Sequence, residues 1–149
     1  MIRAYIKEDK VKLVELLRLN TPVFFAVEEK TCFVDYLDNE IESYFVFELN
    51  NEVIGAGGIN YGFDGGKTVR ISWDMVHPEH HRNGIGPKLT QYRIQEIKKN
   101  PQIETIIVRT TQLVYKFYEK MGFELEKKKL NFWAEGIDLY QMKIVIKSN

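Results

Sequence analysis

The chain lacks the features that mark secreted and membrane proteins. Its 149 residues include a single cysteine, Cys32, so an internal disulfide is impossible. No apolar run approaches the ~18 residues needed to cross a bilayer. Charged residues also interrupt the N-terminal segment where a signal peptide would have its apolar core. We therefore predict a cytoplasmic protein with no membrane partner.

Neither sign of charge is in excess. Lys plus Arg and Asp plus Glu both number 21, which gives a formal net charge of zero. Nucleic-acid-binding domains usually carry a clear basic excess, so nucleic acid is not an expected partner. Hydrophobic residues make up 44% of the chain and aromatic residues 13%, enough to build a core and to exclude global disorder. Without repeats or linker-like stretches, residues 1–149 are expected to form one domain.

Hydrophobic periodicity predicts alternating strands and helices. The predicted strands cover residues 2–6, 43–49, 52–62, 68–76, 105–109, 123–133 and 137–146, and the predicted helices cover residues 7–19, 28–41, 84–99 and 112–121. Asn50-Asn51 tolerates the left-handed turn of a hairpin. Cys32 lies in an apolar-periodic segment, so a buried or half-buried thiol is expected. The sequence predicts an α/β (α+β) fold with a mixed central sheet of about six to seven strands and helices on both faces.

One segment, residues 76–89, joins a predicted strand to a predicted helix through a loop that contains Gly84 and Gly86. Loops of this kind direct successive backbone N–H groups to one place, and the helix dipole adds positive charge there. This arrangement favours a phosphate or pyrophosphate site. A tight turn with positive φ at Gly84, followed by Pro87 in the first helical turn, explains the same residues without a ligand.

A second segment, Phe117-Tyr118-Glu119-Lys120-Met121-Gly122-Phe123, follows the next predicted strand. Together the two segments resemble the GNAT superfamily of acyl-CoA-dependent N-acetyltransferases. In that family a V-x-P-x-x-Q/R-x-x-G-x-G/A run binds the CoA pyrophosphate, and a later F/L-Y-x-K-x-G-F run supplies a catalytic tyrosine. The order of predicted elements fits the family over nearly the whole chain. The resemblance implies a single GNAT-like domain that transfers an acetyl group from acetyl-CoA to a primary amine by direct attack.

The resemblance also assigns cofactor-binding positions. It implies that Val76 offers backbone hydrogen bonds to the pantetheine arm, and that Thr111 replaces the Asn with which many relatives contact the pantetheine or thiol. The implied pyrophosphate loop comprises His81, Arg82, Asn83, Gly84, Ile85, Gly86, Pro87 and Lys88. His81 stands where the family has Gln or Arg, so it lacks the permanent charge of Arg. Pro87 removes one backbone N–H from the loop.

Two side chains are candidates for catalysis. Tyr118 is expected to hydrogen-bond the developing CoA thiolate, as the family's tyrosine does. The core face of its helix is expected to comprise Leu113, Val114, Phe117 and Met121. Asp74 is the candidate acceptor of the amine's proton, directly or through a water chain, because it shares a strand face with Ser72 rather than with bulky core residues. A solvated carboxylate, or one paired with Arg70, is an equally good interpretation of Asp74.

The acceptor amine is less well defined by the sequence. The second predicted helix and its ends carry Glu28, Glu29, Asp35, Asp38, Glu40 and Glu42. By resemblance this region lines the acceptor side, so an acidic surface would suit a cationic amine, although charge runs are also typical of solvated helix faces. A polyamine, an aminosugar and a peptide amine all stay open as acceptors.

Two further possibilities concern metals and partners. His77, His80 and His81 lie on one turn with no distant fourth ligand indicated, so no metal is predicted. A non-catalytic acyl-CoA-binding sensor or interaction module is the alternative to an enzyme. Exposed terminal strands would allow pairing into a homodimer.

Overall fold

The computed structural model describes residues 1–146. The strands are β1 (Ile2–Ala4), β2 (Ser43–Leu49), β3 (Glu52–Phe63), β4 (Thr68–Val76), β5 (Thr105–Thr110), β6 (Glu124–Ala134) and β7 (Ile137–Val145). The α-helices are α1 (Lys10–Leu19), α2 (Glu29–Asp35), α3 (Ile85–Lys98) and α4 (Tyr115–Lys120). The strands form one sheet in the order β1-β2-β3-β4-β5-β7-β6, in which β4 and β5 are parallel. The predicted fold class is confirmed.

The chain divides into two compact units. The first comprises Met1–Ile59 and Trp73–Arg93, and the second comprises Asn60–Ser72 and Ile94–Asn149. Both β3 and β4 contribute residues to each unit. That residues 1–149 act as one domain stays a prediction. Among residues 1–146, no helix is long and apolar enough to span a bilayer.

The first unit has apolar residues on both faces of the β2–β3 pair. Val46 and Ala56 lie on one face, in a cluster with residues of α1 and of the α2 segment. The helical members of that cluster are Leu13, Leu16, Leu17, Phe33, Tyr36 and Leu37. Phe47 and Ile54 lie on the other face and pack with Ile85 and Leu89 of α3. Helices therefore cover both faces of this part of the sheet, as the sequence predicts.

Glycines in β3 allow α3 to approach the sheet closely. A Cβ atom at Gly55 would lie 2.8 Å from Cγ2 of Ile85, and one at Gly57 would lie 2.7 Å from Cζ of Arg93. Neither distance is tolerated by ordinary side chains. The two glycines are therefore required by packing, since Ile85 and the Arg93 guanidinium occupy the space that their side chains would fill.

Two expectations about the second helical segment were wrong. Instead of one helix over residues 28–41, α2 ends at Asp35 and continues as a π-helical turn over Tyr36–Glu40. Cys32 is exposed rather than buried. The reason is that the buried side of the segment consists of Phe33, Tyr36 and Leu37, at the i, i+3 and i+4 positions, and Cys32 lies off this stripe.

A buried carboxylate fixes the N-terminal segment to the turn before α1. Both oxygens of Asp9 accept hydrogen bonds from the Arg3 guanidinium, at 2.8 and 2.9 Å, and one also accepts from the N–H of Ile6 at 2.9 Å. Asp9 is almost completely buried. The hydrogen bonds from Arg3 lower the pKa of the Asp9 carboxyl below its ordinary value. Its ionised form is therefore favoured in the folded chain.

We expect Asp9→Asn to lower the free energy of unfolding by about 1–3 kcal/mol at pH 7, because it removes charge-assisted hydrogen bonds. The pKa of Asp9 is lower in the folded state, so its contribution is complete above the unfolded value of about 3.9 and declines as pH falls below it. Urea denaturation at pH 7 and pH 3 should show the gap between variant and wild type narrowing at the lower pH. Glu15→Gln, which breaks an exposed pair with Arg18, is the control and should leave stability unchanged. A gap that is equal at both pH values would contradict the assignment.

Candidate active site

The loop between β4 and α3 is shaped by a short 3₁₀ turn and two residues with positive φ. The turn covers Pro78–His80, and Nδ1 of His77 accepts a hydrogen bond from the N–H of Glu79 at 3.1 Å. Arg82 and Gly84 have φ of +73° and +79°. A Cβ at Gly84 would meet no atom within 4 Å, so glycine is favoured there by its backbone conformation and not by lack of space.

Backbone donors at the start of α3 lack acceptors. The N–H of Asn83 donates to the carbonyl of His80, and that of Lys88 donates to the carbonyl of Gly84. Within residues 1–146, the N–H groups of Gly84, Ile85 and Gly86 have no hydrogen-bond acceptor. Such unpaired donors at the start of a 14-residue helix, with its partial positive charge, favour binding of an anion.

The imidazole of His81 points back to the end of β4, the strand that precedes its loop. Its Nε2 lies 2.8 Å from the carbonyl oxygen of Val76, which also accepts from Nδ2 of the buried Asn20 at 3.1 Å. Since a carbonyl can only accept, we assign the proton to Nε2, and the neutral ring has no other N–H to offer a phosphate. The Val76 carbonyl already accepts two hydrogen bonds. Val76 and His81 as cofactor-binding residues stay predictions.

Asp74 is held by an arginine of α3 that the sequence analysis did not identify. Its two oxygens accept from Nη1 and Nη2 of Arg93 at 2.6 and 2.8 Å. The Arg93 side chain is 1% exposed and also donates to the carbonyls of Gly58 and Leu89, at 3.1 and 3.2 Å. The partner of Asp74 is therefore Arg93 rather than Arg70. The Asp74 side chain remains 21% exposed, so solvent can reach it.

An aromatic cluster surrounds the strand residue before Asp74. Trp73 has a φ of +50°, which is unusual for an aromatic residue. Its carbonyl accepts a hydrogen bond from the hydroxyl of Tyr44 at 2.8 Å, and its ring stacks with Phe25 at 6.2 Å between centroids. Burial raises the pKa of the Tyr44 phenol well above its ordinary value, so Tyr44 stays protonated and keeps donating this bond.

In the second unit, Thr111 caps the turn that leads into α4. Its hydroxyl oxygen accepts from the N–H of Leu113 at 3.1 Å, and its carbonyl accepts from the N–H groups of Val114 and Tyr115. Because this turn delays the start of α4 to Tyr115, the predicted core face is wrong: Leu113 is 52% exposed. The role of Thr111 toward the cofactor stays a prediction.

Tyr118 is the buried residue of α4. Its side chain is 3% exposed, and its ring makes edge contacts with Phe117 and Phe123 at 5.0 and 5.7 Å between centroids. Gly122 follows the helix with φ of +104°, as expected of a C-terminal cap. The N–H of Phe123 then donates to the Tyr118 carbonyl. The sequence run around Tyr118 therefore fixes this residue between two aromatic rings at the end of α4.

Much of the acidic segment around α2 is engaged within the fold. Glu29 accepts from the N–H of Ala26, Asp35 accepts from Asn39, and Asp38 accepts from Nζ of Lys10, all at 2.7–2.8 Å. Burial raises the pKa of the Glu29 carboxyl above its ordinary value. The Lys10 ammonium offsets the charge of Asp38, whereas the donors to Glu29 and Asp35 are neutral groups that cancel no charge.

The three histidines show no metal geometry. The rings of His77 and His80 lie edge to face at 5.6 Å, and His81 contacts the ring of Phe24. Over residues 1–146, no group of three or more His, Cys, Asp or Glu side chains is placed to hold a metal ion. That the protein needs no metal stays a prediction.

Comparisons with known proteins identify relatives in sequence and in fold. A curated N-alpha-acetyltransferase of Sulfurisphaera tokodaii is 27% identical over 150 residues, which cover 90% of this chain and 86% of that protein. The ribosomal-protein-S18-alanine N-acetyltransferase of Escherichia coli superposes with a TM-score of 0.82 at 15% identity, covering 100% of this chain and 95% of that one. An aminoglycoside 6'-N-acetyltransferase complexed with coenzyme A has a TM-score of 0.80 at 18% identity, covering 100% and 98%. At these identities the two structures show the fold.

The family itself is shown by sequence. The family model described as an acetyltransferase (GNAT) domain matches residues 10–146. The prediction of an acetyl-CoA-dependent N-acetyltransferase is thereby confirmed, and the alternative of a non-catalytic acyl-CoA-binding module is not favoured. The chain belongs to the GNAT family of acetyltransferases.

Proposed function

We propose that the loop between β4 and α3 binds the pyrophosphate of acetyl-CoA through the N–H groups of Gly84, Ile85 and Gly86. The observation that carries this proposal is that all three N–H groups lack acceptors in the part of the chain described, at the N-terminus of a long helix. The positive φ of Gly84 orients the first of them. Arg82, Asn83 and Lys88 belong to the same proposed loop.

The bound acetyl-CoA supplies the acetyl group as a thioester. An alkyl ammonium of pKa about 10.4 must lose a proton before it can attack, which costs about 4–5 kcal/mol at pH 7. We propose Asp74 as the group that receives this proton, through a water chain that reaches the solvent-exposed part of its side chain, which is 21% exposed. Tyr118 is proposed to hydrogen-bond the departing thiolate.

The acceptor is proposed to be the primary amine of a peptide or of a small molecule. The relative from Sulfurisphaera tokodaii is named an N-alpha-acetyltransferase, which favours an α-amine, whereas the aminoglycoside enzyme acts on an aminosugar. A cytoplasmic location and a homodimer paired through an edge strand stay predictions.

Release of free CoA thiol from acetyl-CoA, measured across a panel of amines, tests the activity. Gly84→Val tests the binding loop. We expect it to weaken acetyl-CoA binding by about 10- to 100-fold, because valine disfavours positive φ and blocks approach to the backbone donors. The thermal shift produced by acetyl-CoA reports the affinity, because a ligand of the folded state stabilises it by mass action.

The matched control for the loop is Gly66→Val. Gly66 also has positive φ, at +89°, with no atom within 4 Å of a Cβ, but it lies in the turn between β3 and β4. Gly66→Val should lower the free energy of unfolding by a similar amount, and the thermal shift produced by acetyl-CoA should stay as in the wild type. Normal acetyl-CoA binding by a folded Gly84→Val protein would place the pyrophosphate elsewhere.

A further inference from the structure

Two arginines in the second unit lie on adjacent strands, and within residues 1–146 neither has a carboxylate partner. Arg70 belongs to β4 and Arg109 to β5, and Arg70 is paired in register with Ile107. Residues two apart on a strand share a face, so Arg109 lies on the same face as Ile107 and Arg70. Burial together with the positive charge of Arg70 lowers the pKa of the Arg109 guanidinium. The positive charge of Arg70 therefore acts on Arg109 from the neighbouring strand.

The Arg109 guanidinium also has an unpaired donor. Its Nε–H is buried and has no hydrogen-bond partner, and within residues 1–146 neither Arg70 nor Arg109 forms an ion pair. A buried donor of this kind is costly unless a ligand pairs with it. On β6, two strands from β5, the carboxylate of Glu126 accepts from Gln141 at 2.8 Å and pairs with Lys143 at 3.5 Å.

Aromatic rings hold the two guanidinium groups in place. The Arg109 Cζ lies 4.9 Å from the centroid of Phe132 and 5.9 Å from that of Trp133, and the Arg70 Cζ lies 4.1 Å from that of Phe63. Stacking restricts a guanidinium while leaving the hydrogen-bonding edge of its plane available to a planar anion. Arg70 and Arg109 are each half-buried, so solvent reaches part of both side chains although the Nε of Arg109 is covered.

The rings are themselves anchored to the end of β5. The indole N–H of Trp133 donates to the carbonyl of Thr110 at 3.1 Å. The side chain of Gln112 accepts from the N–H of Asp138 at 2.9 Å and donates to the carbonyl of Gly136 at 2.7 Å. The β6–β7 turn is thus fixed to the residues that follow Arg109. These hydrogen bonds hold the Trp133 side chain and the β6–β7 turn in a fixed position beside Arg109.

We propose that Arg70 and Arg109 form an anion subsite that binds a carboxylate group of the amine acceptor. The inference rests on the proposed function and narrows its acceptor class. Arg109 is two residues before Thr111, about 7 Å along an extended chain, so the subsite lies beside a residue proposed for the cofactor. The pyrophosphate of acetyl-CoA has its own proposed donors in the β4–α3 loop. We therefore assign this pair to a carboxylate of the acceptor, and the effect of Arg109→Met on acetyl-CoA binding tests the remaining phosphate of the cofactor.

The carboxylate can come from two sources, and paired acceptors separate them. L-Alanine and L-alaninamide differ at the α-carboxylate and also in the pKa of the amine, so their rates are compared per concentration of neutral amine. The peptide amides Glu-Ala-Ala-NH2 and Gln-Ala-Ala-NH2 differ only at the first side chain. In one pair at least, we expect the carboxylate to raise kcat/KM by about 10- to 100-fold over its amide, as a charge-assisted bidentate contact would. The effect should appear in KM with little change in kcat.

Variants assign the preference to the arginines. Arg109→Met should abolish it, and Arg109→Lys should retain part of it, because lysine keeps the charge but loses the planar fork. Lys128→Met is the matched control: it removes a cation 4.9 Å from the ring centroid of Tyr140 in the same unit, and should leave the preference unchanged. Thermal shifts of each protein with the same acceptors in the presence of CoA give a separate reading of binding.

The outcomes distinguish this proposal from the proposed function. If no amine is acetylated, the proposed function fails, and the thermal shifts still decide whether carboxylates bind through Arg109. If amines are acetylated but carboxylate and amide acceptors behave alike in both assays, the subsite is wrong and the activity stands. A loss of acetyl-CoA binding in Arg109→Met, with acceptor preference unchanged, would also overturn the proposal, because the anion would then be a cofactor phosphate.

Discussion

Arg93→Met is expected to lower the free energy of unfolding by about 3–5 kcal/mol, because it removes the buried Arg93 guanidinium from its ion pair with Asp74. The guanidinium makes two hydrogen bonds to Asp74 and one each to the carbonyls of Gly58 and Leu89. Methionine fills much of the same volume but satisfies none of these acceptors. Urea denaturation followed by circular dichroism measures the loss.

Two further variants separate charge from packing at this site. Arg93→Lys keeps the positive charge but not the bidentate geometry, so we expect an intermediate loss of stability. The double variant Arg93→Met/Asp74→Asn also removes the carboxylate charge that faced Arg93, so it should recover part of what Arg93→Met loses, giving a coupling energy of about 0.5–3 kcal/mol between the two sites. Strictly additive losses would show that the pair contributes nothing beyond its separate contacts.

Much of the fold could be predicted from the sequence because its strands have clear ends. The bounds of β2 and β4 were predicted to the residue, since side-chain alternation and flanking turn residues mark both. The Asn50-Asn51 turn has positive φ at both residues, as predicted. The two helices at which prediction failed have ends set by other interactions. The π-helical turn after α2 follows from core packing, and the late start of α4 follows from the cap made by Thr111.

The candidate site was predictable only where a backbone pattern defines it. Gly84 and the helix that follows it were placed correctly, because glycine at positive φ before an amphipathic helix is a local signal. The Arg93–Asp74 pair was missed, since an arginine between Tyr92 and Ile94 is typical of a solvated helix position. Gly57, which makes room for this guanidinium, lies far from Arg93 in the sequence. A contact between residues so far apart in the chain can be found only from the tertiary structure.

The imidazole of His81 illustrates the same limit at closer range. Its sequence position indicates a phosphate ligand, yet in the folded chain its Nε2 contacts the carbonyl of Val76, five residues earlier. An imidazole N–H that donates to the Val76 carbonyl cannot at the same time donate to a phosphate. The binding loop therefore depends more on backbone N–H groups than the sequence motif alone would indicate.

The largest catalytic effect is expected from Tyr118→Phe. We expect kcat to fall by about 10- to 1,000-fold while the fold and the affinity for acetyl-CoA are kept. Phenylalanine preserves the ring contacts with Phe117 and Phe123, so only the hydroxyl is removed. A phenol of pKa about 10 is a weaker acid than a thiol of about 8.5, so full proton transfer to the thiolate is uphill by about 2 kcal/mol. The hydroxyl should therefore act mainly by hydrogen-bonding the thiolate as charge develops.

Single-turnover measurements of thiol release are the appropriate assay for Tyr118→Phe, because slow product release would hide a slower chemical step in kcat. The matched control is Tyr115→Phe, which removes a phenol hydroxyl from the same helix at a residue whose ring packs on Tyr140 at 4.6 Å. It should release thiol at the wild-type rate. If Tyr118→Phe does so as well, the buried ring of Tyr118 serves packing alone, and the group that assists thiolate departure must be sought among other donors.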